Sequence, residues 1–97
     1  MKKLLLIALL SFGAQAKYTA EDCKVIAEHA EVIMAMRQDG ADMSKMYERL
    51  TMNISRLMID EAFSKPLFST EKHKKQMVTS FKNSWFKSCI KNVAKES

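Results

Sequence analysis

Glycine and proline are scarce, with two glycines and one proline in 97 residues. Hairpins and sandwich edges draw on both residue types at their turns, so this supply argues against an all-β design. No stretch alternates apolar and polar residues for long enough to read as a strand. No apolar run reaches the roughly 20 residues that a bilayer-spanning helix needs. There is no C-x-x-C motif, and the two histidines, His29 and His73, stand apart, so neither a dithiol redox site nor a zinc-ligand spacing is present. No serine sits in a glycine-flanked elbow. The acid pairs Glu28/Glu31 and Asp60/Glu61 fall on helical surfaces, where such residues serve as solvating charges. His29, flanked by Glu28 and Glu31, reads as a polar-face residue. These absences leave no catalytic residue, metal ligand or cofactor to assign.

The first sixteen residues, MKKLLLIALLSFGAQA, are organised differently from the rest. Lys2 and Lys3 precede an apolar run from Leu4 to Leu10 extended by Phe12, and the small residues Ala14 and Ala16 follow. A basic start, a short apolar stretch and a small-residue site are the three parts of a secretory signal peptide, with cleavage expected between Ala16 and Lys17. The run is too short to anchor the chain across a bilayer. Residues 17 to 97 then form a single exported domain, periplasmic or secreted, with no transmembrane segment after signal removal.

A domain of this size buries only about 60 to 65 % of its unfolded surface, so a covalent staple is useful to it. Two cysteines are available, Cys23 near the start of the mature chain and Cys89 near its end. In an exported protein that pair is expected to form one disulfide. Closing so long a loop is worth roughly 4 kcal/mol on a chain-entropy basis.

Helical periodicity accounts for the remainder. Cys23, Ile26, Ala27, Ala30, Ile33 and Met34 recur at three and four residues, Thr19 is a suitable N-cap, and Glu21 and Asp22 suit a first helical turn. Gly40 stands where a left-handed stop belongs, with Arg37 beside the unpaired carbonyls, which predicts a helix over about 20 to 39. This accounts for two residues of Arg37-Gln38-Asp39-Gly40 and leaves Gln38 and Asp39 unexplained; a groove shared by Arg37 and Gln38 would mark a site. Met43, Met46, Tyr47 and Leu50 continue the pattern after an Asp42 or Ser44 cap. Ile54, Leu57, Met58, Ala62 and Phe63 follow a break expected at 51 to 54, where Thr51 or Asn53 could cap. Pro66 ends that segment. Ser69 or Thr70 opens a last helix with the stripe Met77, Val78, Phe81, Trp85, Cys89 and Val93, flanked by Phe86 and Ile90. The fold class is all-α, a small bundle of three or four helices closed by one disulfide and preceded by a signal peptide.

Two surface features could carry binding. Residues 17 to 64 contain six basic and nine acidic residues, a net of −3, whereas residues 65 to 97 contain eight lysines and two glutamates, a net of +6. Lys87, Lys91 and Lys95 form an i, i+4, i+8 row, joined toward the other end by Lys72, Lys74 and Lys75. Such a row suits phospholipid headgroups, lipopolysaccharide or an acidic protein, or simply a solvated face. Nucleic acid is not expected as a partner of an exported chain whose basic residues here are lysines. Methionine is abundant, eight in all. Most fill gaps in a small core, but Met36 and Met52 lie off the main stripes and are placed as exposed contacts, alongside Arg37 and Gln38.

The order Cys23, Ala27, Ala30, Met34 or Met36, then Arg37-Gln38-x-Gly40, resembles a pattern in small exported helical proteins of unknown function encoded by phages and prophages of Gram-negative bacteria. The likeness continues through Asp60-Glu61-Ala62-Phe63-Ser64-x-Pro66 and Phe81-x-x-x-Trp85-x-x-x-Cys89, covering most of the mature chain. It implies a small exported helical protein in a phage or prophage setting and carries over no catalytic residue. The expectation is a non-enzymatic periplasmic binding protein acting on an envelope partner. Its alternatives are an anionic-surface binder using the basic last helix, or a small chaperone or enzyme inhibitor.

Overall fold

The computed structural model describes residues 18 to 96, so the signal segment 1 to 16 and its Ala16/Lys17 junction lie outside the described residues. Four helices follow one another, α1 Ala20–Gln38, α2 Met43–Arg49, α3 Asn53–Phe63 and α4 Glu71–Glu96, with no strand among the described residues.

Helix α1 begins in a capping box. The Thr19 hydroxyl accepts from the backbone N–H of Asp22 at 3.1 Å, and the Asp22 carboxylate accepts from the backbone N–H of Thr19 at 2.9 Å. It ends at Gly40, whose φ of +89° is the left-handed conformation that L residues avoid. There the N–H of Ala41 donates to Met36 O and that of Gly40 to Arg37 O, the paired bonds of a Schellman stop. Asp42 then caps α2, accepting from Lys45 N at 3.2 Å and from Ser44 Oγ at 2.6 Å. The expected break is present, but the cap of α3 is Met52, which makes no side-chain capping bond, and neither Thr51 nor Asn53 fills that role. Thr70 caps α4, accepting from His73 N at 3.2 Å.

Helix α1 is the central element and packs against both α3 and α4. Cys23 meets Cys89, Glu31 meets Lys82 and Gln38 meets Lys74, so numbers fall along α4 as they rise along α1 and the pair is antiparallel. His29 meets Ser55 and Arg37 meets Phe63, so α3 runs parallel to α1. The small residues Ala27 and Ala30 are buried on α1 and let its neighbours approach. Ile33, Met34, Met46, Met58, Ile59, Ala62 and Phe81 complete the core. The disulfide, with Cα atoms 5.5 Å apart and both cysteines buried, closes the seam between the start of α1 and the last turns of α4.

Two expectations for the middle of the chain are corrected. Leu57 is 62 % exposed and Tyr47 is 42 % exposed, whereas Ser55 is buried beside Met58, Ile59 and Ala62. The run Ile54 to Ile59 carries apolar residues around most of the helix, so periodicity alone does not select the inward face. Ser55 is admitted because its hydroxyl pairs with His29 Nε2 at 2.6 Å. His29 is correspondingly half-buried in the seam with α3 and is not a free polar-face residue.

Candidate functional site

The Arg37-Gln38-Asp39-Gly40 stretch sits where α1 ends and where the connection from α3 to α4 passes over it. Gln38 is 2 % exposed. Its Nε2 donates to Pro66 O at 2.9 Å and its Oε1 accepts from Phe68 N at 3.0 Å, so one amide plane satisfies both a carbonyl and an N–H of the crossing chain. The same nitrogen lies 3.6 Å from Met34 Sδ. Arg37 Nη2 donates to Lys65 O at 2.9 Å, and its guanidinium lies 4.7 Å from the centre of the Phe63 ring. From the other side Lys74 Nζ donates to Gln38 O at 2.8 Å, placing a cation on the carbonyl end of α1. Arg37 and Gln38 therefore point together onto backbone 65 to 68 and not into an open groove. A groove of about 350 Å³ does lie between α1 and α4, with Glu31, Gln38 and Asp39 on its α1 side and Glu71, Lys74 and Lys75 on its α4 side. Gln38 turns its amide toward Pro66 and Phe68.

Of the six lysines read from the sequence as one row, Lys72, Lys75, Lys87 and Lys91 are exposed, and Lys74 is half-buried on the end of α1. Lys95 lies in the last turns of α4. Lys87 and Lys91 are one turn apart on one face, but Lys75, twelve residues before Lys87, is rotated by roughly 120° from it. The lysines thus divide into two groups. Lys82, absent from the expected row, approaches Glu31 on α1 at 3.3 Å. Met52 is 60 % exposed, whereas Met36 is half-buried against the core, which corrects its expected exposure.

The Asp42 carboxyl is held below its ordinary value, first by the Ser44 hydroxyl and then by the Lys45 N–H, both favouring the ionised form. This belongs to the α2 cap. The pair formed by buried Ser55 and half-buried His29 lies in the α1–α3 seam, where Ser55 is 1 % exposed. Among the described residues no three His, Cys, Asp or Glu side chains are grouped to hold a metal ion, and no helix is long and apolar enough to cross a membrane.

A surface feature missed in the sequence is the outer side of α1, where Val25 is 63 % and Val32 is 56 % exposed. The signal was present: both lie off the core stripe, seven residues apart, in an otherwise polar setting. Comparison with known proteins found no matching family model, no matching curated protein and no matching solved structure.

Proposed function

We propose that the chain is a non-enzymatic periplasmic protein, exported through cleavage between Ala16 and Lys17, that acts by binding another envelope protein in a phage or prophage setting. The observation that carries this reading is the division of labour between its side chains. Arg37 and Gln38, the most conspicuous polar pair, are consumed in holding backbone 65 to 68. Large apolar side chains, Val25, Val32, Met52, Leu57 and Leu67, remain more than half exposed. A small stapled domain that leaves such groups in water is equipped for contact more than for chemistry. The disulfide fits an oxidising compartment. The test is affinity capture from the host envelope fraction with the mature domain as bait, repeated with the captured protein as bait. Reciprocal recovery is expected, and reproducible failure of both under native conditions contradicts the reading.

A second reading, binding to an anionic surface such as lipopolysaccharide or phospholipid headgroups, is favoured by the exposure of Lys87 and Lys91 one turn apart on α4. Its attraction would be salt-sensitive, in contrast to an apolar protein contact.

A further inference from the structure

Helix α2 buries one side chain, Met46, at 2 % exposure. Between it and the end of α1 lies a groove of about 420 Å³. Its walls are aliphatic: Met36, Ala41 and Leu50 are half-buried and pack on the core beside Met46, and no aromatic ring lines it. That volume falls within the range of small-ligand sites, roughly 300 to 1,000 Å³.

One rim of this groove is cationic. Lys45 and Arg49 are exposed and one turn apart on α2, their Cβ atoms roughly 6 Å from each other. The ion pairs among the described residues join Lys24 to Glu21 and Lys82 to Glu31, so neither rim cation is taken up in one. The acid lining the groove, Asp42, is occupied as the α2 cap, accepting from Ser44 Oγ at 2.6 Å and from Lys45 N at 3.2 Å. The other side of α2 has the opposite character. There the Arg56 guanidinium lies 4.4 Å from the centre of the Tyr47 ring and donates to Tyr47 O at 2.9 Å, which leaves the carboxylates of Glu48 and Asp60 at the opening. An anion is therefore directed to the Met36 side.

The walls select the rest of the ligand. Without a ring to stack on, a planar aromatic anion gains little there. Flexible thioethers beside leucine and alanine suit an unbranched alkyl chain, and a guanidinium with an ammonium one turn away suits a carboxylate head. A second copy of the chain does not supply this combination. Its exposed apolar loop residues, Met52 and Leu67, have no acid within three positions, and Tyr18 brings Lys17 with it. Val25, Val32 and Leu57 have acids nearby, but these short branched side chains project from helices about 10 Å across and reach the mouth of the groove without filling it.

We propose that the groove between α2 and the end of α1 binds a free fatty carboxylate, its alkyl chain against Met36, Ala41, Met46 and Leu50 and its head group on Lys45 and Arg49. This goes beyond the protein contact proposed above and does not depend on it.

The probes are octanoate, decanoate and dodecanoate, each below its micelle concentration, with dodecanol as the neutral counterpart. Calorimetric titration of the mature disulfide-bonded domain is expected to show one saturable site whose affinity rises about threefold per added methylene. Dodecanol should bind about tenfold or more weakly than dodecanoate, and Lys45→Gln with Arg49→Gln should bring dodecanoate down to the level of the alcohol. Both substituted side chains are exposed; circular dichroism checks the fold, and Lys45→Gln alone serves if the double variant is not folded. Leu50→Gln should weaken dodecanoate and dodecanol alike. Absence of saturable binding, equal affinity for acid and alcohol, or undiminished dodecanoate binding by the folded lysine and arginine variant overturns the proposal. So does sedimentation with phosphatidylglycerol vesicles that requires Lys45 and Arg49 while free dodecanoate fails to bind, since the rim would then read a bilayer surface. A concentration-dependent dimer that the same substitutions dissolve also overturns it, because the groove would be filled by a second copy.

Discussion

Gln38 and Phe68 are joined edge to edge, the side-chain Oε1 of the first accepting the backbone N–H of the second at 3.0 Å, while Nε2 of Gln38 donates to Pro66 O at 2.9 Å. A buried side-chain amide thus stands in for a missing strand partner and satisfies two backbone groups that helix α3 has released and helix α4 has not yet taken up. Gln38→Ala should destabilise the domain by about 2 kcal/mol, because it leaves both groups unsatisfied. For a domain this small that is a fall in melting temperature of roughly 8 to 16 °C, measurable by thermal circular dichroism. Gln38→Glu keeps the shape but sets a carboxylate against the Pro66 carbonyl, and should be at least as damaging at neutral pH. A melting temperature unchanged in both variants would remove the structural role assigned to Gln38.

Helix α1 is tied to α4 at its other end by Cys23 and Cys89, residues that are 0 % and 7 % exposed. Replacing both by serine should lower stability by roughly 4 kcal/mol on the loop-entropy estimate, read as a shift in the urea midpoint. Because both cysteines are shielded, a thiol reductant should open the native disulfide far more slowly than the same bond in urea. Reduction at equal rates in the two conditions would show that the seam is open in the folded state.

Asp42 makes α2 pH-sensitive. Its folded carboxyl titrates below the ordinary value of 3.8 because Ser44 Oγ and Lys45 N–H stabilise the anion. A group with a depressed folded pKa contributes stability above its unfolded pKa and loses it as pH falls through the folded one. Asp42→Ala should therefore melt earlier than the wild type at neutral pH, with the gap closing on acidification below about pH 3.8. A gap that persists unchanged in acid would assign the effect to something other than ionisation of this cap.

The surface reading of α4 has its own test. Lys87→Glu with Lys91→Glu should reduce sedimentation with anionic phospholipid vesicles or lipopolysaccharide if this face binds them, and the wild-type binding should weaken from low to physiological salt. The two exposed lysines are one turn apart, so the substitutions leave the core residues Phe81 and Cys89 untouched. Binding that is unaffected by both charge reversal and salt rules out the basic face as the contact.

Elements whose determinants are local were legible in the sequence. Thr19, Gly40, Pro66 and Thr70 act on backbone within a few residues of themselves, so the ends of α1, α3 and α4 follow from capping and stop rules. The Cys23–Cys89 closure was legible because both residues lie on apolar stripes and no other cysteine competes. Gln38 was not, because its partners are backbone groups about thirty residues away, and a backbone N–H carries no side-chain signature. The inward face of α3 was lost for a different reason: Leu57, Met58 and Ile59 are consecutive, and tertiary packing around Ser55 and His29 decides among them. Lys74 read as one charge of a surface row, yet its ammonium completes the end of α1.

Site-directed photo-crosslinking in the host envelope tests most directly whether the protein works by contact with another protein through exposed apolar side chains such as Val32. A crosslinker at position 32 is expected to trap one discrete protein, lost when Val25 is changed to Glu, while the same group at position 75, beside the α1–α4 groove, traps none. Adducts from position 75 or position 87 with none from position 32 would contradict it.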